Sequence, residues 1–267
     1  MLLSSNHKPR KQLGQNFLTD QSVIHQIIAT INLKKDQSII EIGPGLGAIT
    51  TYIIQNCAKL IAIEIDDSLC AKLTNQFARE IINHQVKIIN HNVLQVDFLT
   101  LLDNNKVRIV GNLPYNISTP LLFKLFSYAV HVDDMHFLLQ KEVAERLVAA
   151  PNNKQYGRLS IMAQYHAKMN IMFHVGSHAF NPAPKVESCF VRFVPHIILP
   201  DKANNYDHFY KLVTAAFCQR RKILSNALKQ YGSANDLNNL GIDPKIRPEQ
   251  LTVADFVKIS NKFYITN

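Results

Sequence analysis

The stretch Ser38-Ile-Ile-Glu-Ile-Gly-Pro-Gly-Leu-Gly47 decides the fold of this chain. Its first five residues are a short apolar run typical of a buried strand, and a glycine-rich turn follows directly. Apolar residues at helical spacing begin after Gly47. Such a turn between a strand and a helix is where a parallel sheet presents the carboxyl ends of its strands to a ligand. The stretch therefore predicts an α/β domain with a ligand site at the turn.

Strands and helices alternate along the chain on both sides of this turn. Apolar patterns predict strands at 38–42, 59–65, 86–89, 107–111, 135–139, 169–175 and 189–194. They predict helices at 23–31, 68–82, 118–129, 142–150 and 158–166. Because interleaved strands and helices imply right-handed crossovers, we expect a Rossmann-like sheet that is mostly parallel, with an antiparallel edge made by the last two strands.

A change in composition at 195–205, which is rich in proline and polar residues, indicates a linker. Beyond it only helical patterns occur, at 206–217, 221–231 and 248–263. We therefore predict two domains, a sheet-containing domain at 1–196 and a small all-helical domain at 197–267, and both sizes are within the range of known domains.

Composition limits the class of protein. Of the 267 residues 47% are hydrophobic and 18% are charged, which suits a globular protein with a sizeable core. Signal-peptide features and long apolar runs are missing from the sequence, so we expect a cytoplasmic protein without a membrane partner. The net charge of +9 favours a polyanionic partner. Because the four cysteines and eleven histidines are scattered, we expect no metal site.

The spacing of the glycines restricts the ligand. Gly43 and Gly45 let the backbone approach a ligand without a Cβ in the way. They belong to a G-x-G-x-G run, whereas dinucleotide sites use G-x-G-x-x-G to seat a pyrophosphate on a helix N-terminus. Glu64 ends the next predicted strand, where an acid can accept hydrogen bonds from both ribose hydroxyls of an adenosine cofactor. The spacing thus disfavours a nicotinamide oxidoreductase.

A second motif, Asn112-Leu-Pro-Tyr-Asn-Ile-Ser118, follows the fourth predicted strand. The N6 amine of adenine is a poor nucleophile because its lone pair is delocalised into the ring. The side-chain oxygen of Asn112 and a backbone carbonyl of Leu113 or Pro114 could accept its two N–H groups, which leaves the lone pair aimed at a methyl donor. Tyr115 would supply an aromatic face for an extruded base.

A third motif, Phe180-Asn-Pro-Ala-Pro-Lys-Val-Glu-Ser188, is a loop constrained by two prolines. Its aromatic ring and Lys185 suit a second wall of a base pocket and a phosphate contact. Taken alone, an aromatic residue such as Phe180 is more often a loop anchor buried in the core.

With these motifs the sequence resembles the ribosomal RNA adenine N6,N6-dimethyltransferase family, in particular its bacterial small-subunit (16S) branch. The resemblance runs nearly end to end and includes 14–18, 41–47, Glu64, 112–119, 180–188 and 217–222. It implies a class I methyltransferase fold. It also implies that S-adenosylmethionine is the donor for dimethylation of two adjacent adenosines in the 3′-terminal hairpin loop of 16S rRNA. The substrate would be the small (30S) ribosomal subunit or its precursor, with a role in ribosome biogenesis.

The resemblance also implies how the cofactor is held. The basic N-terminal segment 1–18 would close over it through Asn16 and Leu18, and Gly43 would lie against its methionine portion. Many relatives have an aspartate after the third strand that accepts a hydrogen bond from the adenine amine of the cofactor. Asn92 stands there in this chain, and an amide oxygen can accept the same bond.

On the RNA side, the resemblance implies that Asn112 contacts the reactive centre and that Tyr115 and Phe180 sandwich the target adenine. A basic run in the second domain would reach rRNA phosphates, although such a run is often only a solvated helix face; it consists of Arg220, Arg221 and Lys222.

Three other functions stay open at this point. A large-subunit rRNA adenine methyltransferase of the macrolide-resistance type shares most of these motifs, but commonly has Ile at the position of Leu113. A DNA adenine methyltransferase uses a similar Asn/Asp-Pro-Pro-Tyr turn. A non-catalytic ribosome assembly factor could be built on the same fold. We expect a monomer.

Overall fold

A computed structural model describes residues 9–102, 106–114, 116–218 and 222–264 of the chain. The strands are β1 (Phe17–Leu18), β2 (Ser38–Ile42), β3 (Lys59–Glu64), β4 (Val86–Asn90), β5 (Val107–Asn112), β6 (Val132–Gln140), β7 (Ala167–Val175), β8 (Phe180–Asn181) and β9 (Ser188–Pro195). The α-helices are α1 (Gln21–Ile31), α2 (Thr50–Gln55), α3 (Asp67–Gln76), α4 (Ala78–Ile82), α5 (Ser118–Phe126), α6 (Lys141–Val148), α7 (Arg158–His166), α8 (Tyr206–Cys218), α9 (Leu224–Ala227), α10 (Ala234–Asn239) and α11 (Val253–Phe263).

The main sheet has seven strands in the order β4-β3-β2-β5-β6-β9-β7. The pairs β4–β3, β3–β2, β2–β5 and β5–β6 are parallel, and β9 joins β6 in the antiparallel direction. This confirms the expected sheet, mostly parallel with an antiparallel edge. In the register, Ile42 pairs with Ile63 on one side and Gly111 on the other. The residues that follow these three are Gly43, Glu64 and Asn112, so three predicted site residues leave the sheet side by side.

A second, two-stranded sheet was not predicted. In it β1 pairs antiparallel with β8, so that Leu18 lies opposite Phe180 and Phe17 lies opposite Asn181. Two residues are too short to show a strand period, which is why the apolar pattern gave no signal.

Most predicted helices are present, with three corrections. The predicted helix 68–82 is broken at Phe77, whose ring turns into the core and is 6% exposed, so that α3 and α4 are separate. The predicted helix 221–231 is reduced to the single turn of α9, and α10 was missed. The predicted helix 248–263 begins properly only after Thr252, which caps α11 by accepting from the N–H of Asp255.

A buried ion pair joins β5 to β6, and its arginine also binds a covering helix. Arg108 on β5 donates from Nε to Asp134 Oδ1 (2.6 Å) and from a terminal nitrogen to Oδ2 (3.0 Å). The same guanidinium donates to the carbonyl of Ile31 (2.7 Å), one of the last carbonyls of α1. Arg108 and Asp134 are only 7% and 3% exposed. The pair therefore fixes the end of α1 to the sheet.

Residue contacts divide the chain into two compact units. The first comprises Met1–Ala144 and Met169–Pro195, and the second comprises Glu145–Lys168 and His196–Asn267. The domains predicted at 1–196 and 197–267 differ from these units in one segment. The prediction assigns 145–168 to the sheet-containing domain, whereas the residue contacts assign it to the second unit. In the second unit the wholly buried Tyr156 donates from its hydroxyl to the carbonyl of Leu251 (2.9 Å), and α7 packs on α8. An apolar helix face predicts burial but not the partner, so the sequence pattern could not make this assignment. In the described part of the chain, no helix is both long and apolar enough to cross a membrane.

Candidate active site

The glycine turn after β2 borders a cleft of the first unit whose empty volume, including its open mouth, is about 1110 Å³. Gly43 and Gly45 have φ angles of +66° and +60°, in the left-handed region that favours glycine. A Cβ atom on Gly45 would lie 3.1 Å from the ring of Phe17. Both glycines are therefore required by the turn, and they leave its backbone accessible from the cleft.

Glu64 ends β3 with its carboxylate turned towards the glycine turn. Its Oε2 accepts from the N–H of Gly45 (3.2 Å), and its Oε1 accepts from the N–H groups of Ile65 (2.9 Å) and Asp66 (3.0 Å). Burial raises the pKa of Glu64, the three backbone hydrogen bonds oppose the rise, and the charge of Asp66 adds to it. The carboxylate is thus held in one orientation, with acceptor capacity left on Oε2.

Asn112 ends β5 and lines the same cleft, together with Leu113 and Pro114. Its Nδ2 donates to the backbone carbonyl of Asn16 (2.9 Å). A carbonyl oxygen can only accept, so the atom facing it must be the amide nitrogen, and Oδ1 points away from Asn16. The carbonyl of Pro114 accepts from the N–H of Ile117 (3.2 Å), whereas no described residue donates to the carbonyl of Leu113.

The N-terminal strap, which we define as residues 10–20, brings the predicted Asn16 and Leu18 to the site. Asn16 lines the cleft, and its side chain donates to the carbonyl of Gly14 (3.2 Å). Leu18 lies deeper, is 7% exposed and lines a smaller cavity next to the cleft. Only Asn16 of the two therefore reaches the cleft itself.

Asn92, Ile65 and Val93 form another part of the cleft wall. Asn92 Oδ1 accepts from the N–H of Leu94 (3.0 Å), so its second lone pair is the one available to a ligand. Ile65 is 45% exposed, and an apolar side chain exposed in a cleft suits a flat hydrophobic group. Ile65 is not among the residues predicted from sequence, because an isoleucine at a strand end has the same pattern as a core residue.

Glu41 on β2 is fully buried beside the smaller cavity, which has an empty volume of about 520 Å³ and is also lined by Asn112. Neither carboxyl oxygen has a hydrogen-bond partner among the described residues. Burial raises the pKa of Glu41 to about 8, the Glu64 carboxylate acts in the same direction, and the nearby Thr50 hydroxyl offsets part of the rise without reaching hydrogen-bonding geometry. At neutral pH this carboxyl group is therefore mostly protonated.

Of the two predicted stacking residues, the structure describes only Phe180. Tyr115 lies outside the described residues. Phe180 is 5% exposed and packs in the hydrophobic core with Leu18 and Phe190, and it is not among the residues lining either cavity. A base could stack on Phe180 only if the ring became exposed, so its predicted role stays a prediction.

Of the predicted RNA-contacting residues, Lys185 and Lys222 are exposed, each in its own unit. Arg220 and Arg221 lie outside the described residues. Among the residues that the structure describes, no group of three or more His, Cys, Asp or Glu could hold a metal ion.

Comparisons with known proteins identify the family and the fold of the chain. A family model described as "Ribosomal RNA adenine dimethylase" matches residues 6–264. A relative from Pseudomonas fluorescens (strain Pf0-1), named "Ribosomal RNA small subunit methyltransferase A", is 47% identical over 257 residues, which are 96% of this chain and 93% of the relative. One of the same name from Legionella pneumophila (strain Lens) is 46% identical over 98% of this chain and 99% of the relative. The crystal structure of a dimethyladenosine transferase from Plasmodium falciparum shares the fold, with a TM-score of 0.79 at 24% identity over 91% of this chain and 95% of that one.

Proposed function

The chain belongs to the ribosomal RNA adenine dimethylase family, and we propose that it dimethylates two adjacent adenosines at N6 in the 3′-terminal hairpin loop of 16S rRNA. One observation carries the proposal: a site suited to an adenosine cofactor, at Gly43 and Glu64, shares one cleft with the amine-orienting residue Asn112. The relatives named for the small subunit support the 30S subunit or its precursor as the substrate, and hence a role in ribosome biogenesis.

S-adenosylmethionine is the methyl donor in this proposal, and it supplies an electrophilic methyl group on sulfur. The backbone at Gly43 and Gly45 would bind its methionine portion, and Glu64 Oε2 would accept from the ribose hydroxyls. Asn92 would accept from its adenine amine beside the exposed Ile65. The residues fit this group because hydrogen-bond acceptors, a Cβ-free backbone and an apolar side chain, which an adenosine with a short polar tail needs, all line the same cleft.

The target amine has two N–H donors, and the site offers two acceptors for them. Asn112 Oδ1 is one, since its amide nitrogen is already committed to Asn16. The Leu113 carbonyl suits the second better than that of Pro114, which accepts from Ile117. Holding both N–H groups leaves the amine lone pair directed at the methyl group, which is catalysis by positioning. After transfer the ammonium proton passes to water.

The RNA is longer than the cleft, so further contacts belong to the proposal. Lys185 of the 1–196 domain, together with the basic run Arg220, Arg221 and Lys222 of the 197–267 domain, would contact phosphates, in keeping with the net charge of +9. Tyr115 and Phe180 would stack on the extruded adenine. We expect the protein to act as a monomer in the cytoplasm.

Transfer of labelled methyl groups from S-adenosylmethionine tests the proposal. Small and large subunits, purified from cells that lack this gene, are incubated separately with the protein, and the RNA is digested to nucleosides. Dimethyladenosine in small-subunit RNA is the expected product. Label confined to large-subunit RNA would reassign the substrate, and binding to the small subunit without transfer would favour an assembly factor.

A further inference from the structure

Asp66 anchors the beginning of the N-terminal strap. Its Oδ2 accepts from Gln15 Nε2 (2.9 Å) and from Arg10 Nε (3.2 Å), and the backbone N–H of Arg10 donates to Gln15 Oε1 (2.7 Å). Asp66 is fully buried and is not among the residues that line the cleft. Burial alone would raise its pKa, but hydrogen bonds from Ser68 and Gln15 and the charge of Arg10 outweigh burial and keep the pKa below its usual value. The strap is therefore tied to an ionised carboxylate.

Asn16, the next residue of the strap, connects the Asp66 anchor to Asn112. Asn16 follows Gln15 directly, and its carbonyl accepts from Asn112 Nδ2 (2.9 Å). On the other side of Gln15, Gly14 has a φ of +62°, and a Cβ placed there would lie 3.8 Å from Pro114. The strap thus contacts Asn112 directly through Asn16, and it passes close to Pro114 at Gly14.

The orientation of Asn112 needs such an external contact. Rotation about the last side-chain torsion of asparagine is soft, so a strand end alone does not decide which way the amide points. If the amide turned over, Oδ1 would face the Asn16 carbonyl, and two acceptors would be opposed. The position of the Asn16 carbonyl therefore selects the rotamer that presents Oδ1 to the target amine.

We propose that Asp66 and Gln15 are positioning residues for methyl transfer: together they hold the Asn16 carbonyl where it orients the Asn112 carboxamide, although Asp66 does not reach the reacting atoms. The role in catalysis rests on the function proposed above, whereas the tether itself does not.

The substitution Asp66→Asn separates this role from the capping of α3. Asp66 Oδ1 caps the helix by accepting from the N–H (3.0 Å) and hydroxyl (2.7 Å) of Ser68, and an asparagine oxygen performs this equally well. Its NH₂ group would then face the donors of Gln15 and Arg10. The matched control is Asp67→Asn, which makes the same charge change one residue away at an exposed position.

The swapped pair Gln15→Glu with Asp66→Asn supplies a rescue. The new amide then donates to the new carboxylate of residue 15. That carboxylate can accept from the N–H of Arg10 and pair with its half-exposed guanidinium, and the net charge is unchanged. We expect Asp66→Asn to lower kcat for methyl transfer about tenfold or more, as for other misplaced catalytic groups. The dissociation constant of S-adenosylmethionine should change much less. The double variant should recover most of the lost kcat.

The Asn112 side-chain amide gives a readout that needs no substrate. In ¹⁵N spectra of the full chain, with the signal assigned through Asn112→Ala, Asp66→Asn should shift this amide and speed its exchange with solvent, and the double variant should restore both. Wild-type-like spectra and kcat in Asp66→Asn would overturn the proposal. A loss that the double variant does not recover would overturn it too, because Asp66 would then act by another route. If the wild-type chain shows no methyl transfer, the proposed function is refuted. The spectra would still show whether Asp66 and Gln15 orient the Asn112 amide, because this readout needs no activity.

Discussion

Replacing Glu41 by glutamine removes a titrating proton from the core with little change of side-chain shape. In the folded chain burial raises the pKa of Glu41 to about 8, from an ordinary value of 4.5. Between these values the folded chain keeps a proton that the unfolded chain releases. The associated stability is fully present below pH 4.5 and is lost as the pH rises towards about 8. Glu41→Gln should not lose stability in this way.

The magnitude follows from the interval between the two pKa values. Each pH unit in which only the folded state holds the proton changes the free energy of unfolding by about 1.4 kcal/mol. From 4.5 to about 8 the wild type should therefore lose about 5 kcal/mol relative to Glu41→Gln. Any constant difference in how the two side chains are solvated shifts the curves but leaves this slope unchanged. Other titrating groups are the same in both proteins, and their effects cancel in the comparison.

Urea unfolding followed by circular dichroism, at half-unit intervals from about pH 5 to about pH 9, measures the two curves. Glu142→Gln, at an exposed position of α6, controls for the loss of one formal charge and should follow the wild type. If the wild type and Glu41→Gln run parallel across this range, the carboxyl group ionises normally in the folded chain. The account of Glu41 as a buried neutral acid would then be wrong.

Three further substitutions test the site and its scaffold. Asn112→Ala should retain S-adenosylmethionine binding and lose most methyl transfer; a dissociation constant that rises in step with the loss would contradict its role at the amine. Glu64→Ala should weaken S-adenosylmethionine binding about tenfold or more, because hydrogen bonds to charged groups contribute about 1.5–3 kcal/mol, and unchanged affinity in calorimetry would exclude the ribose contact. Arg108→Leu should lower the free energy of unfolding by about 3–5 kcal/mol, since the half-exposed Arg192 would be the remaining cation beside the buried Asp134. The His136 ring, 3.6 Å from Asp134, is neutral at pH 7 because burial lowers its pKa to about 4. A loss below about 1 kcal/mol, the range of surface pairs, would show that the pair is not effectively buried.

The parts of the site that lie at strand ends could be predicted from sequence. Gly43, Glu64 and Asn112 each follow an apolar run that is long enough to be recognised as a strand, and a parallel sheet necessarily brings such ends to one edge. In the observed register Ile42 pairs with both Ile63 and Gly111. The three site residues that follow them are therefore direct neighbours at this edge.

The remaining parts had no local signal. The pairing of Leu18 with Phe180 involves strands of two residues, and the exposure of Ile65 depends on the shape of the cleft. Phe180 shows the limit most clearly. A proline-bounded aromatic is compatible with a stacking surface and with a core anchor, and the structure has it in the core.

A parallel sheet by itself explains where Asn112 is but not which way its amide points. The strands fix Cα positions, and the last torsion of the side chain is left soft. Orientation has to come from a group outside the sheet, and Asn16, 96 residues earlier in the chain, supplies it. The strap that carries Asn16 is held by Asp66 at its start, and near its end the N–H of Thr19 donates to the carbonyl of Ala179 (2.8 Å). The strap is thus anchored on both sides of Asn16, at the carboxyl end of β3 and beside β8, so the position of this single carbonyl depends on contacts across the first unit.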